Sequence, residues 1–196
     1  MTALSLLALA SLLAAQDAPP REPADLTVAP QTEFRTPQER LDERLDALAQ
    51  ADTMRVAAPL IDEIHALWAH SGSDTVSLLM DRGRAAEAAD NEEIAARMYD
   101  HVTRLDPDFA EGWLAAGRMA TQFEDWGYAL ETLNTALTLE PRRYDAYVTL
   151  GRVLERAERY DAALEAYEAA LAIFPAHEAA QEARDRINAA LAGRAL

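Results

Sequence analysis

Residues 144–177 read YDAYVTLGRVLERAERYDAALEAYEAALAIFPAH, and two upstream segments repeat the pattern of this stretch. Shifting the sequence by 34 residues superposes a glycine, an arginine, an alanine and a proline in three successive copies. The identical columns are Gly83, Gly117 and Gly151; Arg84, Arg118 and Arg152; Ala95, Ala129 and Ala163; and Pro107, Pro141 and Pro175. Because threefold identity outside alanine rarely arises by chance, the pattern indicates a genuine internal repeat.

Each copy predicts two helices joined by a short turn, because apolar residues recur at helical spacing and no alternating β-type run is present. Glycine within the first helix costs about 1 kcal/mol relative to alanine, so a close approach by another helix has to offset that loss. Each proline ends the second helix of its copy. The aromatic residues predicted to fill the gaps between helices are Trp113, Tyr147, Tyr99 and Tyr167. Since one helix pair cannot bury its apolar face alone, the copies are predicted to stack into an all-α solenoid.

The order of these columns, from a large apolar or aromatic residue through glycine, alanine and aromatic to proline, resembles the tetratricopeptide repeat (TPR) family. The resemblance covers about residues 76–177 and implies an α-solenoid of stacked antiparallel helix pairs, a TPR-like superhelix with a concave face. The implied repeats are residues 76–109, 110–143 and 144–177. The first copy departs from the pattern at Arg82 and Val102, which suits a repeat near one end of the stack.

Helical patterns also flank the repeats. Residues 37–75 predict a degenerate, TPR-like helical pair, and residues 178–196 predict a C-terminal capping helix and tail. Thr36, Pro37 and Glu39 have the sequence of a capping box with proline at the first helical position, so the first helix is predicted to begin there. These two flanking segments are predicted to complete the stack.

The first 36 residues differ in composition from the rest of the chain. Residues 1–15 read MTALSLLALASLLAA, a charge-free apolar run that is shorter than a membrane span and is typical of a signal peptide. Residues 16–36 are rich in proline and predict a disordered tether. We therefore expect export to the bacterial periplasm, with no stable membrane insertion after signal cleavage. Because no basic residue precedes the apolar run, a cytoplasmic co-chaperone-like or regulatory TPR module is the alternative.

The composition argues against several classes of function. The chain has 34 acidic and 18 basic residues among 196, and its formal charge of −16 opposes binding to nucleic acid. The absence of cysteine excludes thiolate nucleophiles and Cys-ligated zinc. The four histidines lack the spacing of a zinc pair, and no phosphate-binding loop or catalytic motif occurs. We therefore expect no cofactor, no metal and no enzymatic activity; a histidine-based hydrolase and structural self-association are the minor alternatives.

The resemblance implies that the residue after each repeat glycine faces the concave groove. Arg84, Arg118 and Arg152 then form a ladder of guanidinium groups that can bind a protein or peptide partner through an acidic segment or a C-terminal carboxylate. The other residues implied on this face are Ser77, Met80, Glu87, Leu114, Thr121, Gln122, Val148, Glu155 and Arg156. The alternative is internal pairing of Arg84 with Glu111 and of Arg118 with Asp145, and the two interpretations can coexist. The sequence thus predicts a non-enzymatic scaffold or adaptor.

Overall fold

The computed structural model describes residues 35–194. The predicted signal peptide at residues 1–15 and nearly all of the predicted tether at residues 16–36 lie outside this range. All regular structure within the range is helical, which confirms the predicted all-α class. The helices are α1 (Pro37–Ala49), α2 (Met54–Trp68), α3 (Asp74–Ala88), α4 (Glu92–Leu105), α5 (Ala110–Gln122), α6 (Trp126–Leu139), α7 (Tyr144–Arg156), α8 (Tyr160–Ile173) and α9 (Glu178–Arg194). None of these helices is long and apolar enough to cross a bilayer.

The repeats form three helix pairs, α3–α4, α5–α6 and α7–α8, and each pair packs on the next. The first helices α5 and α7 also contact one another, so the first helices of the pairs line the inner side of the stack. At the C-terminal end, α9 packs on α8 and buries Ala180, Ala183 and Ile187. This arrangement confirms the predicted solenoid of stacked helix pairs.

The repeat glycines lie where the two helices of a pair approach most closely. A Cβ atom on Gly151 would lie 2.7 Å from the ring of Tyr167, and one on Gly117 would lie 2.9 Å from the side chain of Leu133. Gly83 is blocked in the same way by the ring of Tyr99. The contact between the second helix and the bare backbone is therefore what offsets the helix-breaking tendency of glycine.

The turn inside each helix pair also recurs every 34 residues. Asp90, Glu124 and Glu158 adopt positive φ angles of 54°, 58° and 57°. The amide of the residue after each one donates to a carbonyl of the last helical turn, with N···O distances of 2.8–2.9 Å, as from Asn91 to Ala86. These bonds are the six-to-one bonds of a Schellman motif, which ends the first helix of every pair.

Helices α1 and α2, residues 37–68, form the N-terminal hairpin. The hairpin begins with the predicted capping box: the hydroxyl of Thr36 accepts from the amide of Glu39 at 3.2 Å, and the Glu39 carboxylate accepts from the amide of Thr36 at 2.7 Å. An ion pair between Arg44 and Glu63 joins its two helices.

The position of the N-terminal hairpin corrects the predicted arrangement, in which this pair preceded the first repeat in the stack. Its buried side chains share one core with α7, α8 and α9, whereas the cores around the first and second repeats contain none of them. The physical reason is an aromatic cluster on the third repeat. The ring centroids of Trp68 and Tyr144 are 6.0 Å apart, and those of Tyr144 and Phe174 are 5.4 Å apart. The first repeat lacks aromatic residues at the two positions equivalent to Tyr144 and Phe174.

Candidate functional site

The predicted arginine ladder lies on the first helices of the three repeats. Arg84, Arg118 and Arg152 are all exposed, on α3, α5 and α7 respectively. Arg84 pairs with Asp81 on its own helix at 2.8 Å. In the part of the chain that the structure describes, neither Arg118 nor Arg152 has an ion-pair partner.

The predicted internal ion pairs are wrong in their partners. Glu111 and Asp145 do not bind Arg84 and Arg118, because both carboxylates lie against the guanidinium of Arg143. Two of the three ladder arginines are consequently available to an external group.

Three apolar residues predicted on the binding face belong to the core instead. Only 2 % of Met80, 0 % of Leu114 and 5 % of Val148 is exposed. Their side chains are buried in the core clusters of the stack, so a partner on the surface does not reach them. The predicted contact of a partner with these three side chains is therefore wrong for this conformation.

Five of the predicted residues meet at an open pocket of 740 Å³, whereas Ser77, Arg84, Glu87 and Arg118 lie outside it. It lies where α5 and α7 end and α6 and α8 begin, with α9 at one side. Its lining consists of Thr121, Gln122, Glu124, Trp126, Arg152, Glu155, Arg156, Tyr160 and Arg186. We refer to it as the Arg152 pocket. The sequence prediction included Thr121, Gln122, Arg152, Glu155 and Arg156, and it missed the contributions of α6, α8 and α9.

The charges of the Arg152 pocket are only partly compensated. Glu155 is engaged on both oxygens by Arg186 at 2.9 Å, and it also accepts from the hydroxyl of Tyr167 at 3.2 Å. Burial and this adjacent carboxylate together raise the pKa of Tyr167. Arg152 and Arg156 have no such partner within residues 35–194. The pocket therefore presents two guanidinium groups that form no ion pair within the described residues, with Glu124 also in its lining.

The side chains of the pocket suit a peptide chain. Arginine binds carboxylates through two parallel N–H groups, which gives both strength and orientation. Trp126 and Tyr160 add half-buried aromatic rings beside the guanidinium groups. A carboxylate next to an apolar side chain matches this combination.

Residues 144–177, which are α7, α8 and the turns that flank them, match the sequence profile of the family described as Tetratricopeptide repeat. The third helix pair is a tetratricopeptide repeat. A larger part of the chain is 26 % identical over 158 residues to a TPR repeat-containing protein of Rhizobium etli, covering 81 % of this chain and 78 % of that protein.

Solved TPR structures share the fold of the stack. The first TPR of Spaghetti (RPAP3), bound to an HSP90 peptide SRMEEVD, superposes with a TM-score of 0.60 at 20 % identity, covering 61 % of this chain and 95 % of that one. The TPR2B domain of yeast Sti1, solved as a pHsp70 complex, gives a TM-score of 0.56 at 16 % identity, with coverage of 59 % and 98 %. At these identities the likeness concerns the fold of the TPR units.

The stack of helix pairs also contains a buried charge cluster that the sequence did not predict. Only 2 % of Arg143 is exposed, and its Nη2 lies 2.6 Å from Glu111 and 2.8 Å from Asp145. Its guanidinium carbon lies 4.5 Å from the ring centroid of Trp68. We call these four residues the Arg143 junction. The signal was a departure from the repeat, because the equivalent residues of the other two copies are Phe109 and His177.

The Arg143 junction favours the charged form of Asp145. Burial raises the pKa of Asp145, but the charge and hydrogen bonds of Arg143 outweigh it and hold that pKa below the usual range. His65 lies on the exposed side, with Nε2 3.0 Å from the hydroxyl of Tyr144. Within residues 35–194, the histidines and carboxylates form no group able to hold a metal ion.

Proposed function

We propose that this chain is a non-catalytic scaffold that binds a protein or peptide partner in the Arg152 pocket. The observation that carries the proposal is the pair of guanidinium groups, Arg152 and Arg156, that lack a carboxylate partner within the described chain. Support also comes from the fold, since the similar TPR structures include complexes with peptides.

The chemistry of the pocket favours a peptide with an acidic segment or a free C-terminal carboxylate. Such a group can replace the missing partners of Arg152 and Arg156, while an adjacent apolar side chain packs on Trp126 or Tyr160. The net charge of −16 repels polyanions over the rest of the surface, so recognition of the acidic group is confined to this pocket.

The proposed location is the bacterial periplasm, and it is supported by the charge-free apolar run of residues 1–15. Intact-mass measurement of the native protein tests this part. We expect the protein in the envelope fraction to have the mass of a chain that lacks the apolar segment. An uncleaved chain in the cytosol would favour a cytoplasmic regulatory module instead.

Fluorescence polarisation with short acidic peptides tests the binding site. The peptides carry either a free or an amidated C-terminus and are titrated into the full chain. We expect R152Q/R156Q to bind at least about tenfold more weakly than the unmodified chain, or about 1.4 kcal/mol. The matched control R84Q/R118Q removes the same charge from the same column outside the pocket and is expected to retain binding.

The outcomes separate the alternatives. Equal losses in both double variants would mean that long-range charge, rather than the pocket, attracts the peptide. Unchanged binding by R152Q/R156Q, or no binding by the unmodified chain, would contradict the proposed site. Circular dichroism of each variant checks that the helices remain.

A further inference from the structure

The N-terminal hairpin contacts the third repeat, although the first and second repeats lie between them in the sequence. Units of a helical-repeat protein normally contact only their neighbours. Here Asp42 pairs with Arg142, and Trp68 lies under Arg143, although two helix pairs, α3–α4 and α5–α6, separate these segments in the sequence. The hairpin is therefore an element added onto the repeats rather than a member of the stack.

The two helices of the hairpin are joined to each other independently of the repeats. An ion pair links Arg44 on α1 to Glu63 on α2, while the buried Leu41 and Ile64 lie in the core that the hairpin shares with α7, α8 and α9. A short segment at residues 69–73 links the hairpin to α3. Gly72 in this segment has a φ of 73°, and no atom of the described chain beyond its two neighbours lies within 4 Å of the position that a Cβ atom would take there. The helices of the hairpin contact each other more extensively than they contact the repeats. The hairpin can consequently move away without unwinding either helix.

Trp68 is the main aromatic contact beneath the hairpin. Only 8 % of this residue is exposed, and its ring lies between the guanidinium of Arg143 and the aromatic cluster around Tyr144. Glu111 and Asp145 hold Arg143 from the repeat side, so the guanidinium face stays in place when Trp68 leaves. The surface beneath Trp68 is thus preformed for an aromatic ring.

The closed arrangement leaves a guanidinium donor of Arg143 without a partner in the described part of the chain. Nη1 of Arg143 is buried and has no hydrogen-bond partner within residues 35–194. A buried donor without a partner disfavours the closed state. A segment that combined an aromatic ring with a carbonyl or carboxylate acceptor would satisfy both the ring site and this donor.

We propose that the N-terminal hairpin is a detachable lid over a second docking surface, formed by Arg143 and Tyr144, whose partner is a peptide segment carrying an aromatic side chain next to an acceptor. Trp68 occupies in the closed state the place that the partner's ring takes in the open state. This surface lies at the N-terminal ends of α5 and α7, whereas the Arg152 pocket lies at their C-terminal ends, so the two proposals are independent.

Hydrogen exchange of the full chain, followed by mass spectrometry, tests whether the lid opens by itself. We expect amides of α2 to exchange through an opening that leaves α5 and α6 protected. W68A is expected to speed exchange in α2 by at least about tenfold while leaving α5 and α6 unchanged. The control W113A, which removes the half-buried indole of α5, should instead affect α5.

If the amides of the hairpin exchange only when those of α5 and α6 also exchange, the proposal that the hairpin opens as a lid would be overturned. An equal acceleration over all helices in W68A would do the same. If W68A fails to fold, the exchange pattern of the unmodified chain still shows whether the hairpin opens independently of α5 and α6. The variant W68F retains an aromatic ring and serves as a comparison.

A peptide experiment tests the partner chemistry. Its probe is a labelled peptide of residues 54–70, titrated into W68A, in which the ring site is empty. We expect it to bind, and we expect the same peptide with alanine at its Trp68 position to bind at least about tenfold more weakly. Equal binding of the two peptides, or none by either, would show that Arg143 and Tyr144 do not form an aromatic docking surface.

Discussion

Glycine is required at residue 151 because the ring of Tyr167 takes up the space of a side chain. We expect G151A to lower the free energy of unfolding by about 1–3 kcal/mol through overpacking. Urea denaturation measures this change. The control G127A, whose added Cβ would have its nearest neighbour at 3.7 Å, should be neutral or slightly stabilising. A neutral G151A would show that the two helices separate easily.

The turn residue Glu158 has a left-handed backbone that favours glycine. We expect E158G to raise the free energy of unfolding by about 0.5–1 kcal/mol, because relief of the Cβ strain exceeds the added freedom of the unfolded chain. E158A removes the same charge but keeps the strain, so it should show no gain. Thermal or urea unfolding of both variants distinguishes a backbone effect from a charge effect.

His177 makes stability depend on pH. Burial lowers the pKa of this imidazole, with Arg152 acting in the same direction and Asp145 opposing it. The unfolded chain takes up a proton below about pH 6.5, whereas the folded chain resists until a lower pH, so the contribution to stability is lost as the pH falls through that window. H177N keeps a side-chain acceptor for the amide of Ala180 and is expected to flatten this part of the profile.

Urea unfolding at about pH 7.5 and about pH 5.5 measures the difference, since these values bracket the ordinary histidine pKa. The exposed His101 supplies the control, because H101N should leave the slope as it is. A slope that survives in H177N would assign it to other groups.

Among individual residues, the sequence predicted the contacts that recur from repeat to repeat and missed the contacts that occur only once. The glycine and ring positions follow from the 34-residue period. A further signal was present but unused: the two repeats with tyrosine at residues 99 and 167 carry glutamate twelve residues earlier, at residues 87 and 155. The middle repeat has leucine and threonine at these positions. Arg143 could not be predicted, because it occupies a position with no constant residue type.

Among the helices, α9 is the element whose attachment is simplest to test. Ile187 is buried against the third repeat, while the neighbouring Arg186 pairs with Glu155 near the surface. We expect I187A to cost about 2–4 kcal/mol of stability through the cavity it leaves. R186Q should cost less than about 1 kcal/mol, because exposed ion pairs contribute little. Chemical denaturation of both variants is the measurement.

A larger effect of R186Q than of I187A would mean that α9 is held by charge rather than by apolar packing. The sequence predicted this helix from its apolar face, which includes Ala180 and Ala183 as well as Ile187, and all three are buried. The sequence also predicted that the N-terminal hairpin consists of two helices. It did not predict where the hairpin packs, because helical periodicity specifies which face of a helix is buried but not which element covers that face.

For the molecule as a whole, the 34-residue period predicted the order in which the repeats stack. It did not predict that the N-terminal hairpin packs on the third repeat. Nearest-neighbour stacking follows from a repeated surface, and such a surface can be read from three aligned copies. The position of the hairpin depends on one tryptophan, one buried arginine and an aromatic cluster that each occur once. The Arg152 pocket shows the same limit, since four of its nine lining residues, Glu124, Trp126, Tyr160 and Arg186, were not part of the predicted binding face.

The contact between Asp42 and Arg142 also sets an order of events during synthesis. The ribosome releases the N-terminal hairpin first, yet the aromatic cluster that receives Trp68 is complete only after Phe174 and His177 have emerged. Until then Leu41, Leu45 and Trp68 have no repeat surface to cover them, and any factor that recognises exposed apolar helices meets them first. Contacts of such long sequence separation form late. The hairpin is therefore made before the repeats but reaches its final position only after them.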